Sequence, residues 1–236
     1  IRAMCGVPDF DPNTYNQVDS IEIYNNKSIF TPYEPGSVFK SIAMAAALDD
    51  GVLTPESTFF DTGVKEGVCD TPIRNADRKK YELQTMTGVL ENSINTGMVY
   101  VAEQLGKKKF RDYIEEFGFG TREGIELDSE VTGTIESLSR NKGNKIDCYG
   151  ATASFGQGIT ATPLQLVSAY GAIANGGVLM RPYIVQEIRY SDGRIERFHP
   201  KEIRKVIEKR VASLVGAMLV SVVDSGHAAG AAVDGY

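Results

Sequence analysis

Ser37 and Lys40 are the residues of this sequence whose types and spacing first suggest chemistry. They lie in the segment YEPGSVFKSIAMAAALDDG (33–51), where a run of small apolar residues follows the lysine. Residues three positions apart share one face of a helix, so the Lys40 amine is expected to reach the Ser37 hydroxyl. A serine hydroxyl is a weak nucleophile until a base takes its proton, and a lysine amine is such a base only when neutral. Burial beside Phe39 and Ile42 would lower the lysine pKa and supply that neutral amine.

The position of Ser37 at the start of a predicted helix supports the same chemistry. A Pro35-Gly36 turn precedes Ser37, and the helix is predicted to end at Asp50-Gly51, where glycine is typical of a helix stop. The partial positive charge of a helix N-terminus favours an oxyanion, and a glycine before the serine lets a substrate approach the backbone. The simpler alternative is that Ser37 only caps the helix and Lys40 is solvated.

A second segment with candidate residues is ENSINTG (91–97), between two predicted helices. It places Ser93 and Asn95 two positions apart, so a hydroxyl and an amide occur in one short turn. Taken alone, Asn95 is explained as the cap of a helix that begins near Thr96. The segment gains meaning only in combination with Ser37 and Lys40.

A third segment is SFGQGITATPLQL (154–166), in which two glycines flank Gln157. The pattern predicts a tight turn that leads into a helix with Pro163 in its first turn, where a missing N–H costs nothing. Gly156 and Gln157 are candidate substrate-binding residues, and packing alone is the alternative explanation of the turn.

These candidate residues must be held in place by helices and strands. The helices and strands predicted along the chain indicate one α+β domain with an antiparallel sheet and many helices. We predict a strand over IRAM (1–4), a polar and irregular segment over 61–80, and a solvated helix face over KEIRKVIEKR (201–210). Hydrophobic periodicity predicts the remaining elements. They are helices over 37–51, 83–93, 96–106, 107–120, 162–177 and 211–223, and a hairpin over 183–198 that turns at Asp192-Gly193.

Composition excludes some classes of function. The chain has 236 residues and a net charge of −6, which argues against a nucleic-acid binder. No stretch reaches the roughly 18 apolar residues of a membrane span, and 211–223 is expected to be a buried helix. Three cysteines without a CxxC pair and two histidines do not predict a metal site. A Cys69–Cys148 bridge stays open as an alternative to free thiols.

Taken together and in order, four segments resemble the superfamily of penicillin-binding proteins and serine β-lactamases, whose signature is S-x-x-K, an S-D-N-like triplet and K-T-G. They are YEPGSVFK, NSINTGMVYVAEQLG, FGFGTREGIELDSEVTG and SFGQGITATPLQLVSAYGAIANGG. More narrowly, residues 1–236 resemble the transpeptidase domain of a class B penicillin-binding protein, of the septal division type or a close relative. The resemblance implies an α+β fold in which an antiparallel sheet is flanked by helices and accompanied by an all-helical lobe.

The resemblance also implies roles for the candidate residues. Ser37 would be the acyl-accepting nucleophile, Lys40 its general base, and Ser93 a proton relay. Asn95 would bind the substrate amide, and the Ser37 backbone N–H would form half of an oxyanion hole. The substrate would be the D-Ala-D-Ala end of a peptidoglycan stem peptide, which β-lactam antibiotics imitate. No metal or organic cofactor is implied.

Partners and location follow from the resemblance alone. The partners would be stem peptides, β-lactams, and a glycan polymerase with other proteins of the division or elongation machinery. The domain would work at the outer face of the cell membrane, with an anchor helix upstream of Ile1. The choice between division and elongation stays open, as do the organism and the β-lactam preference.

The sequence departs from the family pattern at its end. The family continues into a strand with K-T-G or K-S-G, whereas this sequence stops at Tyr236, in what reads as the approach to that strand. We therefore expect the chain to be truncated at both ends and to bind penicillin poorly on its own. His227 occupies a position where the family more often has a small hydroxyl residue. It is expected in a surface loop, with a substrate contact as the alternative.

Two other functions stay open at this point. The first is a hydrolase, either a D,D-carboxypeptidase or a β-lactamase. The segment ESLSRN (136–141) is a poor match to the segment that supplies a deacylating glutamate in class A β-lactamases, which argues against that alternative. The second is a non-catalytic domain that binds or senses β-lactams.

Overall fold

The helix that carries Lys40 lies in the centre of the hydrophobic core. In the computed structural model, which describes residues 1–140 and 143–233, every residue from Lys40 to Leu48 is buried. A helix that is apolar all round must be covered on every side. This helix, α2 (Lys40–Asp49), is packed against the helices at Asn95–Leu105, Lys107–Glu116 and Lys209–Ser225. The lysine is therefore held in a helix that is covered on all sides.

The helices surround α2, and short connections link several of them. A 3₁₀ helix, Gly36–Phe39, leads directly into α2. The α-helices are α1 (Lys27–Phe30), α2 (Lys40–Asp49), α3 (Met86–Glu91), α4 (Asn95–Leu105), α5 (Lys107–Glu116), α6 (Cys148–Ala153), α7 (Pro163–Ala174) and α8 (Lys209–Ser225). Further 3₁₀ helices cover Pro12–Gln17, Ile21–Tyr24, Glu136–Ser139 and Ala229–Ala231.

The strands pair in antiparallel fashion, in four two-stranded sheets within the part of the chain that the structure describes. The sheets are β1 (Thr58–Asp61) with β4 (Glu82–Thr85), β2 (Val64–Lys65) with β3 (Ile73–Arg74), β5 (Val178–Arg181) with β8 (Lys201–Lys205), and β6 (Glu187–Arg189) with β7 (Ile195–Arg197). The predicted α+β class is confirmed, although the antiparallel pairing is divided among separate small sheets.

Several predicted elements are found close to their predicted positions. The helix at 162–177 is α7, and Pro163 follows a capping box in which Thr162 and Gln165 bond each other's backbone. The hairpin at 183–198 is β6 and β7, with Gly193 in the turn at a φ of 85°. The predicted helix at 211–223 is α8, which begins slightly earlier and ends slightly later, but the predicted burial is wrong for most of it. Its buried residues are Val211, Ala212, Val215 and Met218, and Val220 on another face is exposed.

Three predictions of local structure are wrong. Residues 83–85 are not helical, because β4 pairs with β1 and Thr85 caps the helix that begins at Met86. Residues 201–205 form strand β8 against β5 instead of a helix face. Residues 1–4 form no strand, and the amino group of Ile1 donates to the Tyr183 carbonyl oxygen at 2.7 Å. Residues 83–85 and 201–205 form strands because a strand that is distant in sequence pairs with each of them. Residues 1–4 pair with no strand among the described residues.

The segment 61–80 is polar, as predicted, but it is not irregular throughout. It contains β2 and β3, and Cys69 in the loop between them forms a disulfide bond with Cys148. The bridge that the sequence left open is therefore present, and it joins this hairpin to the start of α6. Cys5 is exposed and free.

Some predictions fall on residues whose structure is not described. The strand approach at 235–236, the K-T-G motif expected beyond Tyr236, and Asn141 of the ESLSRN segment lie outside the described residues. Of the helices in the described ranges, none combines the length and apolar character needed to cross a membrane.

Candidate active site

Ser37, Ser93 and Lys40 form one continuous line of hydrogen bonds. Lys40 Nζ donates to the Ser93 carbonyl oxygen at 2.6 Å and to Ser93 Oγ at 2.9 Å. Ser93 Oγ in turn donates to Ser37 Oγ at 3.1 Å. Hydroxyl protons can rotate, so the same line can also carry a proton from Ser37 towards the lysine. The geometry thus connects an exposed hydroxyl to a buried amine through a second hydroxyl.

The direct contact expected from the three-residue spacing is not formed. Among the described residues, no hydrogen bond joins the Lys40 amine to the Ser37 hydroxyl, and both hydrogen bonds of that amine go to Ser93. Lys40 and Ser37 are bonded only through the backbone, where the Lys40 N–H donates to the Ser37 carbonyl oxygen. Ser93 offers the amine two acceptors in one place, its carbonyl oxygen and its hydroxyl. Ser37 and Lys40 lie close together, as predicted, but their side chains are linked through Ser93 instead of by a direct hydrogen bond.

Burial changes the acid–base behaviour of Lys40. The side chain is only 2 % exposed, and desolvation lowers its pKa from 10.5 to about 7. Removal from water disfavours the ammonium ion more than the neutral amine. A large fraction of the molecules therefore carries a neutral amine at physiological pH, which is the form that can accept a proton.

Ser93 adopts a backbone conformation that favours its two contacts with Lys40. It lies in the turn between α3 and α4 with a φ of 51°, a left-handed conformation that few non-glycine residues adopt. The backbone N–H groups of Ser93 and Ile94 donate to the Leu90 and Val89 carbonyl oxygens at 3.0 and 2.9 Å, which holds the turn. Such conformations are concentrated at functional sites.

Backbone contacts hold the turn that precedes Ser37. The Gly36 N–H donates to the Gly156 carbonyl oxygen at 2.9 Å, and Tyr33 and Ala161 exchange two hydrogen bonds of 3.0 Å each. Gly156 has a φ of 79°, and a Cβ atom there would lie 2.1 Å from the Gly36 carbonyl oxygen. Gly156 therefore holds the turn that precedes Ser37. Its contact with a substrate stays a prediction.

Gln157 follows this turn on the surface. It is exposed, and its backbone N–H donates to the Thr152 carbonyl oxygen at 3.0 Å. Its side chain forms no hydrogen bond with any described residue. Its predicted role in substrate binding stays a prediction.

Asn95 is the first residue of α4 and does not cap the helix, contrary to the simpler explanation from sequence. The N-cap residue is Ile94, which contributes no side-chain hydrogen bond. Asn95 Nδ2 donates to the Arg74 carbonyl oxygen at 2.9 Å, and no described residue donates to Asn95 Oδ1. The amide oxygen therefore keeps its capacity to accept a hydrogen bond from another molecule.

Tyr170 of α7 is a neighbour of the site that the sequence did not identify. Its hydroxyl donates to the Val38 carbonyl oxygen at 2.7 Å and lies 3.1 Å from Ser41 Oγ. Burial raises the pKa of its phenol, so the hydroxyl stays protonated and remains a donor. Only the position of Tyr170 on a predicted helix was visible in the sequence, which gave no signal of this contact.

A cavity of about 400 Å³ opens beside the three polar residues. Ser37, Lys40 and Ser93 line one side, and apolar side chains of α8 line another. His227 also lines this cavity; it is exposed, and its backbone N–H donates to the Glu91 carbonyl oxygen at 3.0 Å. His227 thus lies on the surface, as expected from the sequence, and it also lines the cavity. The alternative, a contact between His227 and the substrate, is compatible with this position.

The arrangement is suited to transfer of an acyl group through a serine. It combines an exposed hydroxyl, a relay hydroxyl, a buried amine with a pKa of about 7, and a cavity for a bound molecule. The backbone N–H of Ser37 lies in the first turn of a helical segment, where an oxyanion is favoured. The described residues include no group of three or more His, Cys, Asp or Glu side chains that could hold a metal ion.

Comparisons with known proteins agree with this chemistry. The family model described as the penicillin binding protein transpeptidase domain matches residues 1–236. Stage V sporulation protein D of Bacillus subtilis is 38 % identical over 239 residues, which cover 100 % of this chain and 36 % of that protein. A peptidoglycan D,D-transpeptidase FtsI homolog of Mesostigma viride is 33 % identical over 78 % of this chain and 32 % of that protein. The chain thus spans about a third of the length of these curated relatives.

A solved structure shows the same fold. The crystal structure of penicillin binding protein 3 from Mycobacterium tuberculosis, complexed with aztreonam, has a TM-score of 0.80 and 29 % sequence identity. The match covers 90 % of this chain and 48 % of that one.

Proposed function

Because the chain belongs to the penicillin-binding protein transpeptidase family, we propose that it carries the acylating centre of a peptidoglycan D,D-transpeptidase. The observation that carries the proposal is the line of hydrogen bonds from Ser37 through Ser93 to the buried amine of Lys40. The description of the family and the name of the FtsI homolog favour transfer over the hydrolase and the non-catalytic domain.

The first half of the reaction is acylation of Ser37. Ser37 Oγ attacks the carbonyl carbon of the penultimate D-alanine, and its proton passes through Ser93 to the neutral amine of Lys40. The negative charge that develops on the carbonyl oxygen is stabilised at the start of the helical segment, where the Ser37 N–H lies. The peptide C–N bond then breaks, and the terminal D-alanine takes the proton as it leaves. The product is an ester between the stem peptide and Ser37.

The second half transfers the acyl group. The amine of a neighbouring stem peptide attacks the ester carbonyl and gives up a proton through Ser93 to Lys40. The C–O bond breaks and Ser37 regains its proton, so that one peptide bond has been formed for the one that was broken. A β-lactam would stop at the first ester, because its opened ring stays attached to the acyl group.

The proposed substrate-binding residues are Asn95, Gly156 and Gln157. The free amide oxygen of Asn95 supports a contact with the substrate amide. Gly156 contributes by holding Gly36, which directly precedes the nucleophile. Exposure of Gln157 is compatible with contact to a bound peptide.

The proposal extends to the setting of the reaction. We place the domain at the outer face of the cell membrane, where stem peptides are cross-linked. Its protein partners would be a glycan polymerase and other components of the division or elongation machinery. The support is the set of relatives with printed names in peptidoglycan synthesis and sporulation.

Replacement of Ser37 by alanine in the full-length protein tests the nucleophile. We expect S37A to lose labelling by a fluorescent penicillin while its thermal unfolding stays close to that of the wild type. Mass spectrometry of the labelled wild type should locate the adduct on the peptide that contains Ser37. Turnover of a chromogenic β-lactam would indicate the hydrolase instead, and labelling of S37A at the wild-type level would refute the assigned nucleophile.

A further inference from the structure

Helix α4 receives at its N-terminus a cap that comes from another part of the chain. The first N–H groups of a helix lack partners within it, and a side chain of the preceding residue usually provides one. In α4 that residue is Ile94, which has no polar side chain. Asn75, next to strand β3, takes over this role, since its Oδ1 accepts the Thr96 N–H at 3.3 Å.

Asp61 fixes the orientation of Asn75. Asp61 is fully buried, and its Oδ2 accepts hydrogen bonds from Asn75 Nδ2 at 2.8 Å and from the Tyr81 N–H at 2.9 Å. Its Oδ1 accepts the Gly63 N–H at 2.9 Å and the Thr96 hydroxyl at 2.5 Å. The acceptor sites of this carboxyl group are thus all used, so the Asn75 amide cannot turn without leaving one buried oxygen of Asp61 short of a hydrogen bond.

The same peptide unit that carries Asn75 also holds Asn95. The Arg74 carbonyl group is bonded to the Asn75 nitrogen, and this carbonyl oxygen accepts the Asn95 Nδ2 hydrogen bond at 2.9 Å. Anchoring of Asn75 therefore sets the direction of the Arg74 carbonyl, which in turn sets the rotamer of Asn95. The cap from Asn75 also frees Asn95 from capping its own helix.

We propose that Asp61 and Asn75 are positioning residues that hold the Asn95 amide oxygen towards the substrate. This inference rests on the proposed function, in which Asn95 contacts the substrate amide. The two residues touch none of Ser37, Ser93 or Lys40 in the described hydrogen bonds. Their loss should therefore affect how the substrate is bound more than how fast the bound substrate reacts.

The test compares Asn75→Ala, Asn95→Ala and the double variant in the full-length protein. Acylation by a fluorescent penicillin is measured over a range of concentrations, which separates the dissociation constant of the initial complex from the rate constant of acylation. We expect N75A to raise the dissociation constant about tenfold, the value of one ordinary hydrogen bond, with the acylation rate constant changed less than about threefold. The exposed Asn16→Ala serves as the matched control and should leave both constants unchanged.

The double variant separates positioning from a general loss of structure. If Asn75 acts through Asn95, N75A has no further effect in the N95A background, since coupled residues are not additive. Additive effects would overturn the inference, as would an unchanged dissociation constant in N75A. If N75A does not fold, Thr96→Val replaces it, with Thr96→Ser as the variant that keeps the hydroxyl bond to Asp61. Labelling of S37A by the fluorescent penicillin would mean that the proposed function fails. If S37A is not labelled and N75A keeps the wild-type dissociation constant, only the positioning role is rejected.

Discussion

Glu123 is a buried carboxyl group that should make the stability of the domain depend on pH. It is 8 % exposed, and its Oε1 has no hydrogen-bond partner among the described residues. Burial raises the pKa of Glu123 from 4.5 to about 7, with a contribution from the nearby carboxylate of Glu130, although a side-chain hydrogen bond with Ser168 acts in the opposite direction. Glu130 itself accepts the backbone N–H groups of Glu123 and Gly124, so it is held in place as a charged neighbour.

The direction of the effect follows from proton binding. Below pH 4.5 the Glu123 carboxyl group is protonated in both the folded and the unfolded chain. As the pH rises towards 7, the unfolded chain releases the proton while the folded protein keeps it, so stability falls. Above pH 7 both states are ionised, and the loss stays constant. The difference between the pKa of Glu123 in the unfolded chain and in the folded protein corresponds to roughly 3 kcal/mol of unfolding free energy.

Substitution of Glu123 by glutamine removes the charge and keeps the shape. We expect E123Q to match the wild type near pH 4.5 and to exceed it by roughly 3 kcal/mol at pH 8. Urea unfolding at several pH values measures the difference. The exposed Glu56→Gln is the control and should keep the wild-type slope. An E123Q protein that loses stability between pH 5 and 7 as steeply as the wild type would refute the assignment of this slope to Glu123.

Three further predictions concern the acylating centre. The acylation rate should rise about tenfold per pH unit below pH 7 and level off above it, because only the neutral amine of Lys40 accepts a proton. An acylation rate that is constant from pH 5 to 8 would contradict this. Ser93→Ala should slow penicillin acylation by about 10² or more in stopped-flow assays while keeping the unfolding temperature, and wild-type rates would exclude a relay role. Gly156→Ala should lower the unfolding free energy by at least about 2 kcal/mol, since its Cβ would meet the Gly36 carbonyl oxygen at 2.1 Å, whereas Gly171→Ala has open space and should fold normally.

Ser37, Lys40 and Ser93 lie together, as the resemblance to the penicillin-binding family implied. Periodicity predicted the helices beside these residues but gave no signal that the two segments meet. The order of contacts was not predictable. It depends on the left-handed conformation of Ser93, which a turn between two helices imposes and which no residue type announces.

Long-range partners explain most of what the sequence did not indicate. Residues 82–85 and 201–205 become strands because β1 and β5 lie beside them, and periodicity cannot identify such partners. The same holds for Asp61, which bonds residues 14, 20 and 35 positions away. Polar residues in an apparently irregular segment can thus be buried and fully hydrogen-bonded.

The contact between Gly36 and Gly156 has a consequence for how this protein can change over generations. The turn that precedes Ser37 is held by main-chain groups, from Gly36 to Gly156 and between Tyr33 and Ala161. A replacement at the exposed Tyr33 would preserve those bonds, whereas Ala161 is fully buried, Gly156 leaves no room for a Cβ atom, and Gly36 has a φ of 60° that favours glycine. Variants selected to escape an inhibitor should therefore accumulate in the side chains around the cavity. The backbone frame that presents Ser37 should stay the same in every surviving lineage.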